Sequence, residues 1–190
     1  MNKGTYIKNW LEQEGEIFLK KIGIERNNIV LDFGCRDGHY TIPAAKLVGT
    51  KGKIYALDRE KAHLDKLEKT IMQYNLKNIE LIHSNTKTHM EDHSIDVVLC
   101  YDVIHFEKNR KMIYNEIRRV LKPTGFFSLY PKHHKDDDPL MELAALSLEN
   151  IVSEVEISGF ILKEKLFESC IHDDYYNKGI IFNFIPIKRV

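Results

Sequence analysis

The most constraining feature of this chain is a regular alternation of two hydrophobic patterns. Short runs of β-branched and aromatic residues, typical of buried strands, occur at 29–33, 53–58, 79–83, 95–101 and 125–130. Stretches with helical character separate most of them, at 38–48, 60–74 and 107–121. Strands that alternate with helices form βαβ units, which need a mostly parallel sheet with right-handed crossovers. The alternation therefore predicts a doubly wound α/β domain.

The two ends of the chain depart from this alternation. Residues 5–22 predict an amphipathic helix that packs on the domain, with a lid as one possible role. Residues 140–158 predict a further helix. Two strand-like segments, 160–169 and 180–189, follow with no helix between them, so we expect them to pair as an antiparallel hairpin across the intervening residues 170–179.

These elements add up to a seven-stranded, mostly parallel sheet with a C-terminal antiparallel hairpin. A length of 190 residues suits one domain with a single well-buried core. We expect that domain to span residues 1–190. Its parts are predicted as a helical cap over 1–28, a core over 29–131, and a helix plus hairpin over 132–190.

Charge and cysteine content exclude several classes of protein. Lys and Arg number 28 against 28 Asp and Glu, so no net positive field gathers nucleic acid. The three cysteines, Cys35, Cys100 and Cys170, are far apart and lack metal-binding spacing, which favours a reduced, cytoplasmic setting. The N-terminus lacks the apolar stretch of a signal peptide, and no run is long enough to span a membrane. The expectation is a soluble protein.

Polar residues and glycines at the strand ends point to a ligand. Asp32, Gly34 and Gly38 follow the first strand, and Asp58 ends the second strand 20 residues after Gly38. Ligands of open parallel sheets lie beyond the carboxyl ends of the strands, and an acidic side chain at this spacing can accept both hydroxyls of a ribose. The structural alternative is a simple glycine turn with a helix-capping Asp. Together the signals favour a nucleoside-containing ligand.

The glycine spacing argues against a dinucleotide. A GxGxxG loop would place glycines where this chain has Gly34, Arg36 and His39. Five segments instead resemble, in order and spacing, the class I S-adenosylmethionine-dependent methyltransferases, especially the small-molecule group that includes the quinone-biosynthesis C-methyltransferases. They are VLDFGCRDG, HYTIPAAKLVG, KIYALD, IDVVLCYDVIHF and RRVLKPTGFFSLY. The resemblance covers about residues 29–131, and it implies the Rossmann-like methyltransferase fold.

The resemblance also implies S-adenosylmethionine as the cofactor and a set of residues that bind it. The loop after the first strand would hold the methionine part, Asp58 would clamp the ribose, and Asn85 would accept from the adenine amino group. The plain alternative for Asn85 is a turn residue. The family position of Tyr101 and Asp102 lies beside the methionine end and the methyl acceptor. The full predicted set is Asp32, Gly34, Cys35, Arg36, Gly38, Asp58, Arg59, Asn85, Tyr101 and Asp102.

Methyl transfer from a sulfonium needs little covalent machinery, because its positive charge already activates the methyl group. The enzyme mainly aligns sulfur, methyl and acceptor for in-line displacement. If the acceptor must lose a proton, His105 is the candidate base, with a packing role as its alternative. Aromatic faces for the sulfonium or a planar acceptor could come from Tyr6, Tyr40 and Tyr130, although ordinary packing is the favoured explanation for each of them taken singly.

Arg36 departs from the family pattern, because a glycine would allow positive φ and close approach of the backbone. Its side chain either points away or pairs with the carboxylate of the cofactor, or else it fills the pocket and leaves a noncatalytic scaffold. We favour retained binding, because the other loop residues and Asp58 remain.

A metal site in the run His133–Asp138 is the last alternative. Consecutive residues rarely point at one centre, so a solvated loop is favoured and no metal is expected. The predicted function is methyl transfer to a small-molecule acceptor. A noncatalytic cofactor-binding or protein-interaction module is the alternative, with an NAD-dependent oxidoreductase third.

Overall fold

The computed structural model describes residues 3–135, 137, 143 and 145–187. A seven-stranded sheet in the order β3-β2-β1-β4-β5-β7-β6 forms its centre, with β1 to β5 parallel and β7 antiparallel to both neighbours. The strands are β1 Ile29–Phe33, β2 Lys53–Asp58, β3 Ile79–His83, β4 Ile95–Tyr101, β5 Leu121–Tyr130, β6 Phe160–His172 and β7 Tyr175–Pro186. The predicted doubly wound sheet with its antiparallel hairpin is confirmed.

Helices cover both faces of this sheet. Their bounds are α1 Lys3–Asn9, α2 Gly15–Lys21, α3 Thr41–Val48, α4 Lys61–Gln73, α5 Arg110–Val120 and α6 Leu148–Ile157. A π-helical turn, Trp10–Glu14, joins α1 to α2, and a 3₁₀ turn, Ile104–Phe106, precedes α5. No helix in the described part of the chain has both the length and the apolar character that crossing a bilayer requires.

Several predicted bounds need correction. The first crossover helix begins at Thr41 rather than 38, and the third begins at Arg110 rather than 107, because turns occupy the residues before them. β5 begins at Leu121, directly after α5 ends, and not at 125. The helix predicted over 140–158 is described only as α6, which Ser147 caps; residues 138–142 and 144 lie outside the described part.

The C-terminal hairpin differs most from its prediction. Its strands continue through most of the expected 170–179 loop and leave a turn of only two residues, Asp173 and Asp174. Both have positive φ, 46° and 68°, which is the backbone of the type I′ turn that matches strand twist. The last predicted strand ends at Pro186, and residues 188–190 lie outside the described part. The hairpin therefore extends beyond the part of β7 that pairs with β5, and its turn lies past the carboxyl end of β5.

The sheet separates two apolar cores, as a doubly wound fold requires. Val30 points to the face covered by the N-terminal helices, α3 and α4, whereas its neighbour Leu31 points to the face covered by α5 and α6. The N-terminal helices pack against α3 and the hairpin, where Trp10 is 1% exposed and donates to the His39 carbonyl at 2.8 Å. They contribute none of the residues that line the cavity described below.

Candidate functional site

The candidate site is a cavity where strand order reverses, beyond the carboxyl ends of β1 and β4. It has a volume of about 300 Å³, and its lining comes from the ends of β1, β2 and β4, the 3₁₀ turn and the hairpin tip. Open α/β sheets bind their ligands in crevices of this kind. Most predicted site residues line it: Gly34, Cys35, Arg36, Asp58, Arg59, Asn85, Tyr101, Asp102 and His105. Asp32 and Gly38 do not.

The two loop glycines hold the cavity floor together. Gly34 has φ +83°, and a Cβ on it would lie 2.4 Å from a Val103 methyl carbon; Gly38 has φ +88°, and its Cβ would lie 2.2 Å from Leu67 Cδ1. Any side chain would therefore meet both backbone strain and a clash. Gly34 joins the β1 and β4 loops, whereas Gly38 seats the loop on α4 rather than facing a ligand.

Asp32 lies beneath the loop and not at the cavity surface. It is 3% exposed, and its carboxyl oxygen accepts a hydrogen bond from Thr41 Oγ1 at 2.5 Å. Burial raises the pKa of Asp32 to about 7. Its predicted contact with the cofactor can only be indirect in this arrangement, through the loop that it supports.

Asp58 fixes the backbone on both sides of the cavity and keeps room for a ligand, and it does not cap α4, whose N-cap is Glu60. Its Oδ2 accepts the Arg36 N–H and its Oδ1 accepts the Glu60 N–H, both at 2.8 Å. A carboxylate has about four acceptor positions, so two remain for hydroxyl groups. Beside it, the Arg59 guanidinium lies 5.2 Å from the centre of the Phe106 ring. Asn85 is exposed at the cavity edge, where the turn and adenine-binding interpretations both stay open.

Arg36 neither fills the cavity nor faces away from it. Its φ is +48°, and its Nη1 donates to Asp173 Oδ1 in the hairpin turn at 2.6 Å. More than half of each side chain is exposed. Next to it, His39 Nε2 lies 3.6 Å from Asp174 Oδ1, and Tyr40 Oη donates to the Ile171 carbonyl at 2.8 Å. The glycine-loop arginine thus ties the loop to the hairpin tip.

Aromatic and thiol groups complete the walls. Of the three tyrosines considered from sequence, Tyr40 lines the cavity and packs edge-on against Tyr101 at 4.7 Å, whereas Tyr6 and Tyr130 do not line it. Cys35 is buried, and burial raises the pKa of its thiol well above the usual range, so it stays protonated and packs as a small apolar group.

A cluster of three histidines around Asp102 forms the end of the cavity. His172 Nδ1 lies 2.6 Å from Asp102 Oδ2, while His105 Nδ1 and His133 Nε2 lie 3.5 and 3.7 Å from Asp102 Oδ1. We call Asp102, His105, His133 and His172 the Asp102 cluster. Asp102 itself has φ +60°, a strained conformation that aims its side chain into the cavity.

The Asp102 cluster corrects one prediction and adds a residue that sequence reasoning missed. His133 belongs to the run interpreted as a solvated loop, yet it is 4% exposed, and Lys132 before it is 2% exposed. His172 carries no local signal, because it is the last residue of β6 and reaches Asp102 only through the hairpin. Among the described residues of the 133–138 run, His133 alone is buried, and its N–H donates to Asp137 at 2.7 Å, whereas Lys135 is exposed.

Solved structures and curated proteins similar to this chain define its class. A methyltransferase from Aquifex aeolicus, described as S-adenosylmethionine-dependent, matches with a TM-score of 0.79 at 20% identity, covering 98% of this chain and 100% of that one. A cyclase matches with a TM-score of 0.70 at 13% identity, covering 83% of this chain and 59% of the other. Both show the fold, which is the Rossmann-like fold of class I methyltransferases.

The family follows from sequence similarity. Residues 24–168 match the family described as "Methyltransferase domain", and the chain belongs to it. A demethylmenaquinone methyltransferase from Lactobacillus johnsonii is 32% identical over 110 residues, covering 57% of this chain but only 45% of the relative. The chain thus matches less than half the length of that relative. The predicted membership of the methyltransferase family is confirmed.

Proposed function

We propose that this protein transfers the methyl group of S-adenosylmethionine to a small-molecule acceptor. The observation that carries the proposal is one continuous cavity that joins Asp58 and the glycine loop to the Asp102 cluster. Family membership and the demethylmenaquinone methyltransferase relative support this chemistry and make a quinone a fitting acceptor.

Each end of the cavity has a separate task in this proposal. Asp58, Arg59 and Asn85 would bind the adenosine, and the loop from Gly34 to Arg36 would bind the methionine part. The sulfonium would then lie near Tyr101 and Asp102, where a carboxylate and an aromatic face favour a cation. The acceptor would occupy the side lined by the imidazoles, in line with the sulfur–methyl bond.

The base predicted from sequence, His105, fits this arrangement. Its side chain is 1% exposed, it lines the cavity, and Asp102 lies 3.5 Å away, where a carboxylate stabilises a protonated imidazole. Its part in taking a proton from the acceptor stays a proposal. A cytoplasmic location likewise rests on the cysteine content and stays a prediction.

Calorimetry tests the cofactor half of the proposal. We expect S-adenosylmethionine and S-adenosylhomocysteine to bind, NAD not to bind, and Asp58→Ala to weaken binding by at least about tenfold, or 1.4 kcal/mol. Asp65→Ala is the matched control, because Asp65 is an exposed carboxylate on α4 that pairs only with Lys61 among the contacts recorded for it. Binding of NAD alone would contradict the proposal.

The alternative is a noncatalytic or differently catalytic domain on the same fold. The observation behind this alternative is the similarity to a cyclase, because that protein has the same fold but is named for a different activity. Assays with radiolabelled S-adenosylmethionine and a panel of small-molecule acceptors that includes demethylated quinones distinguish the two. Cofactor binding with no labelled product across the panel favours the alternative.

A further inference from the structure

Two imidazole nitrogens and one carboxylate oxygen converge within the Asp102 cluster. Asp102 Oδ1, His105 Nδ1 and His133 Nε2 all lie within 4.8 Å of one another. Asp102 Oδ1 lies 3.5 Å from His105 Nδ1 and 3.7 Å from His133 Nε2, and both distances exceed a normal hydrogen-bond length. They approach the edge of a coordination tetrahedron, which is about 3.4 Å for metal–ligand bonds of about 2.0–2.2 Å.

Hydrogen bonding inside the cluster leaves that carboxylate oxygen available. Asp102 Oδ2 is taken by His172 Nδ1 at 2.6 Å, whereas Oδ1 is buried and has no hydrogen-bond partner among the described residues. A metal-binding carboxylate is commonly oriented in this way by a second hydrogen-bonded group. His172 therefore positions Asp102 so that Oδ1 faces the two other imidazoles.

The backbone holds this arrangement in place at a cost. Asp102 and His133 have φ of +60° and +61°, in the left-handed region, which Asp and His enter more often than most other non-glycine residues. The side chains of His105 and His133 are 1% and 5% exposed, while Asp102 is 21% exposed toward the cavity. Strain and burial of this kind are retained where the surrounding structure fixes a functional geometry.

We propose that Asp102, His105 and His133 bind a divalent transition-metal ion, with His172 as the positioning residue. Two imidazoles and one carboxylate suit Zn²⁺, Fe²⁺ or Co²⁺ and leave coordination positions open on the cavity side. If the proposed methyl transfer holds, an oxygen atom of the methyl acceptor would occupy one of those open positions; this part of the inference rests on the proposed function. His105 Nδ1 cannot bind a metal and accept a proton together, so this role replaces that of base.

Cobalt titration of the full-length chain, after dialysis against a chelator, tests the site. We expect one Co²⁺ per chain with visible absorption bands of low-coordinate cobalt. His105→Asn and His133→Asn should each weaken binding by about 100-fold or more, and His172→Asn by about tenfold, because it only orients a ligand. His83→Asn, which changes an exposed histidine outside the cluster, is the control and should leave binding unchanged. Absence of saturable Co²⁺ binding, or full binding by both ligand variants, overturns the proposal.

Two further measurements keep the outcome interpretable. X-ray absorption of the cobalt-loaded wild-type protein should show a shell of nitrogen and oxygen atoms that includes two imidazoles. This measurement does not depend on the folding of any variant. A sulfur shell, or a shell without imidazole, overturns the proposal. Calorimetry with S-adenosylhomocysteine on the same preparation separates the two proposals. Cofactor binding without metal binding defeats this inference alone, and metal binding without cofactor binding defeats the proposed function alone.

Discussion

Asp32 shows how one buried carboxyl group supports the site without touching the cavity. Its only hydrogen bond recorded among the described residues comes from Thr41, and the Asp58 carboxylate lies close enough to disfavour a second negative charge. Burial is the larger cause, and it raises the pKa of Asp32 from an ordinary 3.8 to about 7. At neutral pH the loop therefore rests on a carboxyl group that is partly protonated.

This pKa predicts a pH-dependent difference between the wild type and Asp32→Asn. A pKa raised on folding stabilises the folded state below pH 3.8, and that contribution is lost as pH rises to about 7. Asn does not titrate, so the variant should gain free energy of unfolding relative to the wild type between those pH values, by up to about 4 kcal/mol. Urea unfolding across this range measures the gain. Parallel curves for the two proteins would contradict the shifted pKa.

At the scale of elements, the hairpin of β6 and β7 decides what the cavity contains. A loop over 170–179 would have left the cavity open, whereas the two-residue turn carries Ile171, His172 and Asp173 into its wall. The contacts of Arg36 with Asp173 and of Tyr40 with Ile171 hold the tip there. The departure of Arg36 from the glycine pattern is thus explained by the hairpin.

Arg36→Gly tests whether this tie matters to the cofactor. Both side chains of the Arg36–Asp173 pair are more than half exposed, so its loss should cost no more than about 1 kcal/mol. Glycine also removes the strain of positive φ. We expect S-adenosylhomocysteine affinity, measured by calorimetry, to stay within about tenfold of wild type, or 1.4 kcal/mol. Asp173→Asn, which breaks the same pair, should match it. A much larger gain in affinity for Arg36→Gly would show that the arginine blocks the site.

For the whole molecule, ligand binding and folding should be coupled, because the cavity is built from every part of the sheet. Its walls come from the β1, β2 and β4 loops and from the hairpin. Gly34 packs against Val103 of the β4 loop, and Gly38 packs against Leu67 of α4, so a side chain at either glycine would displace its neighbour as well as strain the backbone. A ligand that fits this cavity binds only the folded chain.

Thermal unfolding measures that coupling. S-adenosylhomocysteine at 100 times its dissociation constant should stabilise the protein by about 2.7 kcal/mol, which raises Tm by about 5–10 °C for a chain of this size. Asp58→Ala should lose about half of the shift or more at the same concentration, and NAD should produce none. An equal shift with NAD would contradict the cofactor assignment.

Most of the fold and much of the candidate site could be predicted from sequence, because their signals are local. Hydrophobic periodicity marks the strands and crossover helices over a few residues at a time. Gly38 and Asp58 belong to the same βαβ unit, so their relative placement in the structure follows from local elements. The placement of Asp32 and Gly38 beneath the cavity could not be predicted, because a loop residue's direction depends on what packs against it.

By itself the sequence determined the order of strands and helices, the glycine loop, and the acidic residues at the ends of β2 and β4. The tertiary structure decided that Arg36 meets Asp173, 137 residues away, and that His133 and His172 join His105 around Asp102. The physical reason is that residues with no shared pattern become neighbours only through strand order, a type I′ turn and strained backbone at two positions.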